Sequence, residues 1–162
     1  MTATPEASAG ASAEAAPETT AAAAAGVPDP AALHRRLRQF VVKNGVGLGL
    51  LPADDLALAL AWVWAGLPAA RVMNEREINA ELKAQLAGPV ACLDTDHVEL
   101  RRWLVDAGWL QRDGYGREYR RVAGGPARQG ALAAALGPLL IGTDTEAWTA
   151  AQRQAHAAER DA

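Results

Sequence analysis

Cys92 is the only cysteine of this 162-residue chain, and it lies five residues before His97, with Asp94 and Asp96 between them. A thiol and an imidazole can form a nucleophile–base pair, and the four side chains together could hold a metal. Their setting argues against both. Cys92 sits in the apolar run GPVACL, where a buried, inert thiol is the ordinary outcome. Carboxylates ahead of an apolar stripe are the ordinary start of a helix, and hard and soft ligands mixed at such a start more often mean helix capping than a metal site. Serine is absent after Ser12, so the folded part has no serine nucleophile. The sequence contains no phosphate-binding glycine loop, zinc spacing or paired catalytic carboxylates, and His34 and His156 stand alone on helix surfaces. The expectation is a protein that is not an enzyme, with no cofactor and no metal.

The arginines carry a sharper signal. Arg101 and Arg102 are neighbours in DHVELRRWLVDAGWLQRDGYGREYRRV, residues 96–122, and Arg117, Arg120 and Arg121 flank a glycine-rich turn and fill the strand after it. Adjacent residues on a helix diverge by about 100°, and a core stripe of Leu100, Trp103, Leu104 and Ala107 leaves both arginines outside. A helix of this kind can enter the DNA major groove, where arginine forks onto guanine, while hairpin arginines meet phosphates or the minor groove. The candidate nucleic-acid-binding residues are therefore Arg101, Arg102, Arg117, Arg120 and Arg121. A solvated face is the competing reading, because Arg102 and Asp106 are spaced as a surface ion pair. Val98 and Val105, on the same face as Arg101, also suit a protein interface.

Several elements must position these residues. Ala31 to Val42 is an amphipathic helix with Leu33, Leu37 and Phe40 on one face. The glycines at 45, 47 and 49 resemble a fragment of a dinucleotide fingerprint, but no strand precedes them and Pro52 follows closely, so a loop is expected. Pro52 opens a second helix with Asp54 and Asp55 in its first turn, and Gly66 and Pro68 close it. That helix is apolar on most sides, as a central one is. Asn74 and Glu77 form a capping box for a third helix, with Met73 and Ile78 at staple positions and Ile78, Leu82 and Leu86 as its buried stripe. A fourth helix starts near Asp94 to Asp96, with Asp96 and Glu99 as one candidate capping box, and stops at Gly108. A strand follows to Arg112, then the turn DGYG, then a return strand to Val122. Arg71 to Met73 is the short strand expected to join them. Trp62, Trp64, Trp103 and Trp109 are read as core. Beyond GGP, residues 130–136 and 144–160 are helical, the second capped by Thr143 with Glu146 and marked by Trp148, Ala151 and Ala155. So thin a stripe needs to dock, on its own domain or on a second copy.

The first thirty residues are mostly Ala, Thr, Pro and Glu, without Lys or Arg. They cannot bury enough apolar surface to order themselves, and they lack the basic residues of a secretory or mitochondrial leader. The longest apolar run, Leu56 to Ala65, is shorter than the ~20 residues that cross a bilayer. A cytoplasmic protein without a membrane partner is expected. Net charge is −3, but the tail supplies Glu6, Glu14, Glu18 and Asp29, so the remainder is close to neutral. Binding driven by global charge is not indicated.

The order of elements reads as mainly α with a small β-hairpin: a winged helix-turn-helix domain over 31–123, a disordered tail over 1–30, and a helical extension over 124–162. Phe40 to Val122 also resembles a bacterial family of winged-helix-like domains, the domain-of-unknown-function family 2087. The likeness rests on Leu51-Pro52-Ala53, on NEREINAEL (74–82) and above all on LRRWLVDAGWLQR (100–112) followed by REYRRV. It departs at the acidic, apolar helix ADDLALALAWVWAGL and at the alanine-rich tail. The resemblance implies a transcription-associated regulator and leaves open whether this domain touches DNA itself. Duplex DNA is thus one expected partner. A protein partner or a homodimer, with the chain as a non-catalytic interaction module, is the alternative.

Overall fold

Asn74 sets the start of one helix through a reciprocal pair of bonds. Its Oδ1 accepts from the Glu77 amide at 2.9 Å, and Glu77 Oε2 accepts from the Asn74 amide at 2.8 Å. Met73 before the cap and Ile78 after it are both fully buried, as the staple positions require. The Glu77 carboxyl is held below the usual carboxylate range by the Asn74 amide first and by Arg71 second.

The computed structural model describes residues 28–162, so the tail expected over 1–30 lies outside the described residues except for its last three. Among the described residues six helices and three strands follow one another: α1 Pro30–Val41, α2 Ala53–Gly66, β1 Val72–Asn74, α3 Glu75–Ala87, α4 His97–Asp106, β2 Leu110–Arg112, β3 Glu118–Arg121, α5 Gly130–Leu140 and α6 Thr145–Asp161. The strands form one antiparallel sheet in the order β1-β3-β2. From α2 to β3 the succession helix, strand, helix, helix, strand, strand is that of a winged helix, with the β2–β3 hairpin as its wing. The segment between α1 and α2 is a loop with one short 3-10 turn at Leu48–Leu50, pinned to Leu93 by a parallel bridge from Val46.

The core gathers around α2, every residue of which from Leu58 to Trp64 is buried. Such an element must be covered on all sides, and α1, α3, α4, the wing and α5 supply the cover. Trp64 and Trp109 pack with ring centres 5.4 Å apart, and the Trp64 indole donates to the Val122 carbonyl at 2.9 Å. Gly125 stands against this pair with φ +71°, where an added Cβ would approach Trp109 to 2.7 Å. Trp103, expected in the core, is only half-buried, and Ala107 is exposed.

The C-terminal helices add to the same core through Ala133 and Leu136. α5 runs to Leu140, past Pro138, because the half-buried Leu139 and Leu140 pack on the core and a proline in the last turns forfeits only one helical bond. α6 is capped by Asp144, whose Oδ1 accepts from the Glu146 and Ala147 amides, each at 3.1 Å. Thr143, the expected cap, instead donates its hydroxyl to the Leu139 carbonyl at 3.0 Å. Trp148 packs on its own chain against His34 and Trp62, so His34 is not the isolated surface residue the sequence suggested. Farther along α6, Arg153 donates to the carbonyls of Val41 and Lys43 at 3.0 and 3.1 Å and to Asn44 Oδ1. The Cys92 thiol is buried, and desolvation pushes its pKa up to about 11.

Candidate functional site

α4 is placed by Asp96, whose Oδ1 accepts from the amides of Val98 and Glu99, both at 2.8 Å. These amides, Glu99 first, hold the Asp96 carboxyl below its usual range. The capping box is half made, because Glu99 turns to the Thr95 hydroxyl at 2.9 Å. Leu100 and Leu104 lock the inner face into the core. The wing turn is built on another aspartate. Asp113 Oδ1 accepts from the Arg117 amide at 2.7 Å and the Glu118 amide at 3.0 Å, and Gly116 takes φ +66°. The Glu118 amide leads in holding the Asp113 carboxyl below its usual range.

The five expected arginines separate into distinct environments. Arg101 is not free on the outer face, since its side chain is only 15% exposed. It bridges α4 to α3 through Glu75 at 3.1 Å and Asn79, and its guanidinium lies 5.2 Å from the centre of the Tyr119 ring. Arg121 turns inward as well. Its Nη1 donates to the carbonyls of Ala65 and Leu67 at 3.3 and 3.0 Å, over the Trp64 ring at 4.0 Å. Arg102 is exposed on α4, and Arg117 is exposed at the wing turn, beside Tyr115. Arg120 is exposed too, but on the other face of the sheet. Tyr119 points toward α4, so its neighbour Arg120 points away, opposite Val72 and Gln111.

A groove of about 190 Å³ runs between the outer face of α4 and the wing. Val98, Arg102 and Val105 form one wall, Arg112 and Gly116 the other, and Arg101 with Tyr119 the floor, while Glu75 and Asp106 stand at its rim. Val98 is 42% exposed, and Val105 is half-buried. Arg112 is the member that reasoning from the sequence missed. The signal was strand alternation: two residues after the buried Leu110, it shares the sheet face that looks toward α4, and it pairs with Tyr119. Among the described residues, Arg102, Arg112 and Arg117 enter no ion pair, and the Arg102–Asp106 surface pair is not formed. No group of metal-ligating side chains occurs among the described residues.

Residues 53–121 match a bacterial family described as an uncharacterized protein conserved in bacteria, the domain-of-unknown-function family 2087. That span runs from the first residue of α2 to the last of β3. The match covers less than half of the chain. The matched span thus runs over α2 to the wing and contains the whole groove, while α1, α5 and α6 lie outside the match. No curated protein and no solved structure matches the chain.

Proposed function

We propose that this chain is a cytoplasmic, non-catalytic DNA-binding regulator of transcription that meets duplex DNA through α4 and the wing. One observation carries the reading: Arg102, Arg112 and Arg117 are exposed, and without ion-pair partners among the described residues, on the helix and hairpin that bound one groove. Arg102 stands where the major-groove edge of a base pair would lie, and the wing arginines stand where phosphates would flank it. Arg101, tied to Glu75 and Asn79, serves as the strut that fixes α4 against α3. No helix among the described residues is long and apolar enough to cross a membrane.

The test is fluorescence anisotropy with mixed-sequence duplex DNA over a salt series. Arg102→Ala, Arg112→Ala and Arg117→Ala are each expected to weaken binding. Each should also lower the salt slope by about 1 for every phosphate it ceases to neutralise. Arg120→Ala, on the far face of the sheet, is expected to change little. Undetectable binding at low salt, or binding indifferent to all three substitutions, refutes the reading.

Val98 supports a second reading, in which the groove takes a protein segment. An exposed valine beside arginines free of ion pairs is a common interface composition. Val98→Asp separates the two: it should abolish capture of a protein partner, whereas loss of DNA binding should track the arginines.

A further inference from the structure

α4 turns one stripe of side chains toward the groove it shares with the wing. Val98, Arg102 and Val105 recur along it at helical spacing, and all three line the groove. Most other positions of the helix are already occupied. Leu100 and Leu104 are buried, and Arg101 is tied to Glu75 and Asn79. Glu99 accepts from the Thr95 hydroxyl at 2.9 Å and from the Trp103 indole at 3.4 Å. Of the large apolar residues exposed among the described residues, Val98 alone lies on α4, and it is 42% exposed. A valine left open between arginines is matched by a partner that offers it an apolar group.

The first turn of α4 has no backbone donor to offer DNA in place of that side chain. The amides of Val98 and Glu99 both donate to Asp96 Oδ1 at 2.8 Å, and the carboxylate there would repel a phosphate. What this turn presents to the groove is the Val98 side chain. The major-groove edge of every base pair carries hydrogen-bonding atoms, but only one apolar group, the C5 methyl of thymine. Four residues along a helix, the separation of Val98 from Arg102, advance about 6 Å, close to two base-pair steps.

We propose that Val98 is a specificity-determining residue that recognises the methyl group of a thymine, about two base pairs from the base that Arg102 meets. The inference rests on the reading of α4 and the wing as a DNA-binding surface, and adds to it the base preferred at one position. Val98 brings contact area and no charge. It therefore sets which sequence is bound by a factor independent of salt, whereas the arginines set the affinity and its salt slope.

The test begins with duplexes selected by the full chain from a randomised pool. Each thymine of the selected sequence is then replaced in turn by uracil, which lacks only the methyl, and anisotropy is read over a salt series. At one position uracil is expected to weaken binding roughly fourfold, the worth of one buried methyl, and by the same factor at every salt concentration. Val98→Ala, at an exposed site where it leaves the core untouched, is expected to bind the thymine and uracil duplexes alike. Arg102→Ala is expected to weaken both and to keep their ratio. A selected sequence without a preferred thymine, indifference to uracil at every position, or a thymine preference that survives Val98→Ala overturns the proposal while leaving DNA binding through the arginines intact. Undetectable binding to any duplex at low salt overturns this inference and the DNA-binding reading together.

Discussion

Replacing Arg121 with alanine removes a clamp that no nearby side chain can replace. Its guanidinium joins β3 to the end of α2, where the carbonyls of Ala65 and Leu67 lack helical partners. Hydrogen bonds from a charged donor contribute about 1.5–3 kcal/mol each when well made. The bond to Leu67 at 3.0 Å qualifies, the one to Ala65 at 3.3 Å is long, and the group is only partly buried, so the pair is worth about 2 kcal/mol. The guanidinium over the Trp64 ring adds about 1 kcal/mol. Arg121→Ala should therefore lower unfolding free energy by about 3 kcal/mol, and Arg121→Lys by about half of that. An ammonium can reach one carbonyl but lacks the planar fork that reaches both while stacking on indole. Urea denaturation followed by tryptophan fluorescence gives both values. DNA affinity per folded molecule should be unchanged, because the group points into the fold. A loss below about 1 kcal/mol, or a lysine variant as stable as the wild type, would refute this account of the clamp.

Trp148→Ala should cost about 2 kcal/mol, less than a fully buried tryptophan, and light scattering should show the same mass before and after. A concentration-dependent dimer dissociated by this change would show that α6 docks between copies and not on its own chain. The wing should loosen in acid. The Asp113 carboxyl is held below its usual range, so its stabilisation is complete at neutral pH and is lost as pH falls through the lowered folded value. The protection of the Arg117 and Glu118 amides against exchange, relative to their intrinsic rates, should fall below about pH 4, and in Asp113→Asn that fall should be absent. Cys92, buried with its pKa raised to about 11, should resist alkylation at mildly alkaline pH in the native protein and react promptly in urea.

The sequence was informative where the signal is local. Asn74 with Glu77, Met73 with Ile78, and the glycine turn at 113–116 each lie within a few residues of one another, and each forms as expected. The winged-helix order follows from them. The candidate site was only partly legible, because side-chain destinations depend on elements distant in sequence. Arg101 reads as exposed from its helical phase, yet Asn79 and Glu75 lie on another helix, 22 and 26 residues away, and draw it in. Arg121 finds its acceptors 54 and 56 residues earlier, at a helix end whose unpaired carbonyls no pattern in β3 announces. Thr143 yields the cap to Asp144 because two adjacent residues can both serve, and the path of the incoming turn decides between them.

The tie from Arg153 to the end of α1 also bears on how the chain comes together in time. The carbonyl of Val41 waits for a donor 112 residues later in the sequence. Contacts of that separation carry the loop-closure entropy of nearly the whole domain, so they form late. During synthesis α1 leaves the ribosome first, but its last turn is satisfied only after α6 has emerged. Until then the helix-and-wing unit folds beside an α1 whose far end is loose, with Trp62 and His34 open to any chaperone that reads exposed rings. Emergence of α6, not completion of the winged helix, is the moment at which this fold becomes a closed object.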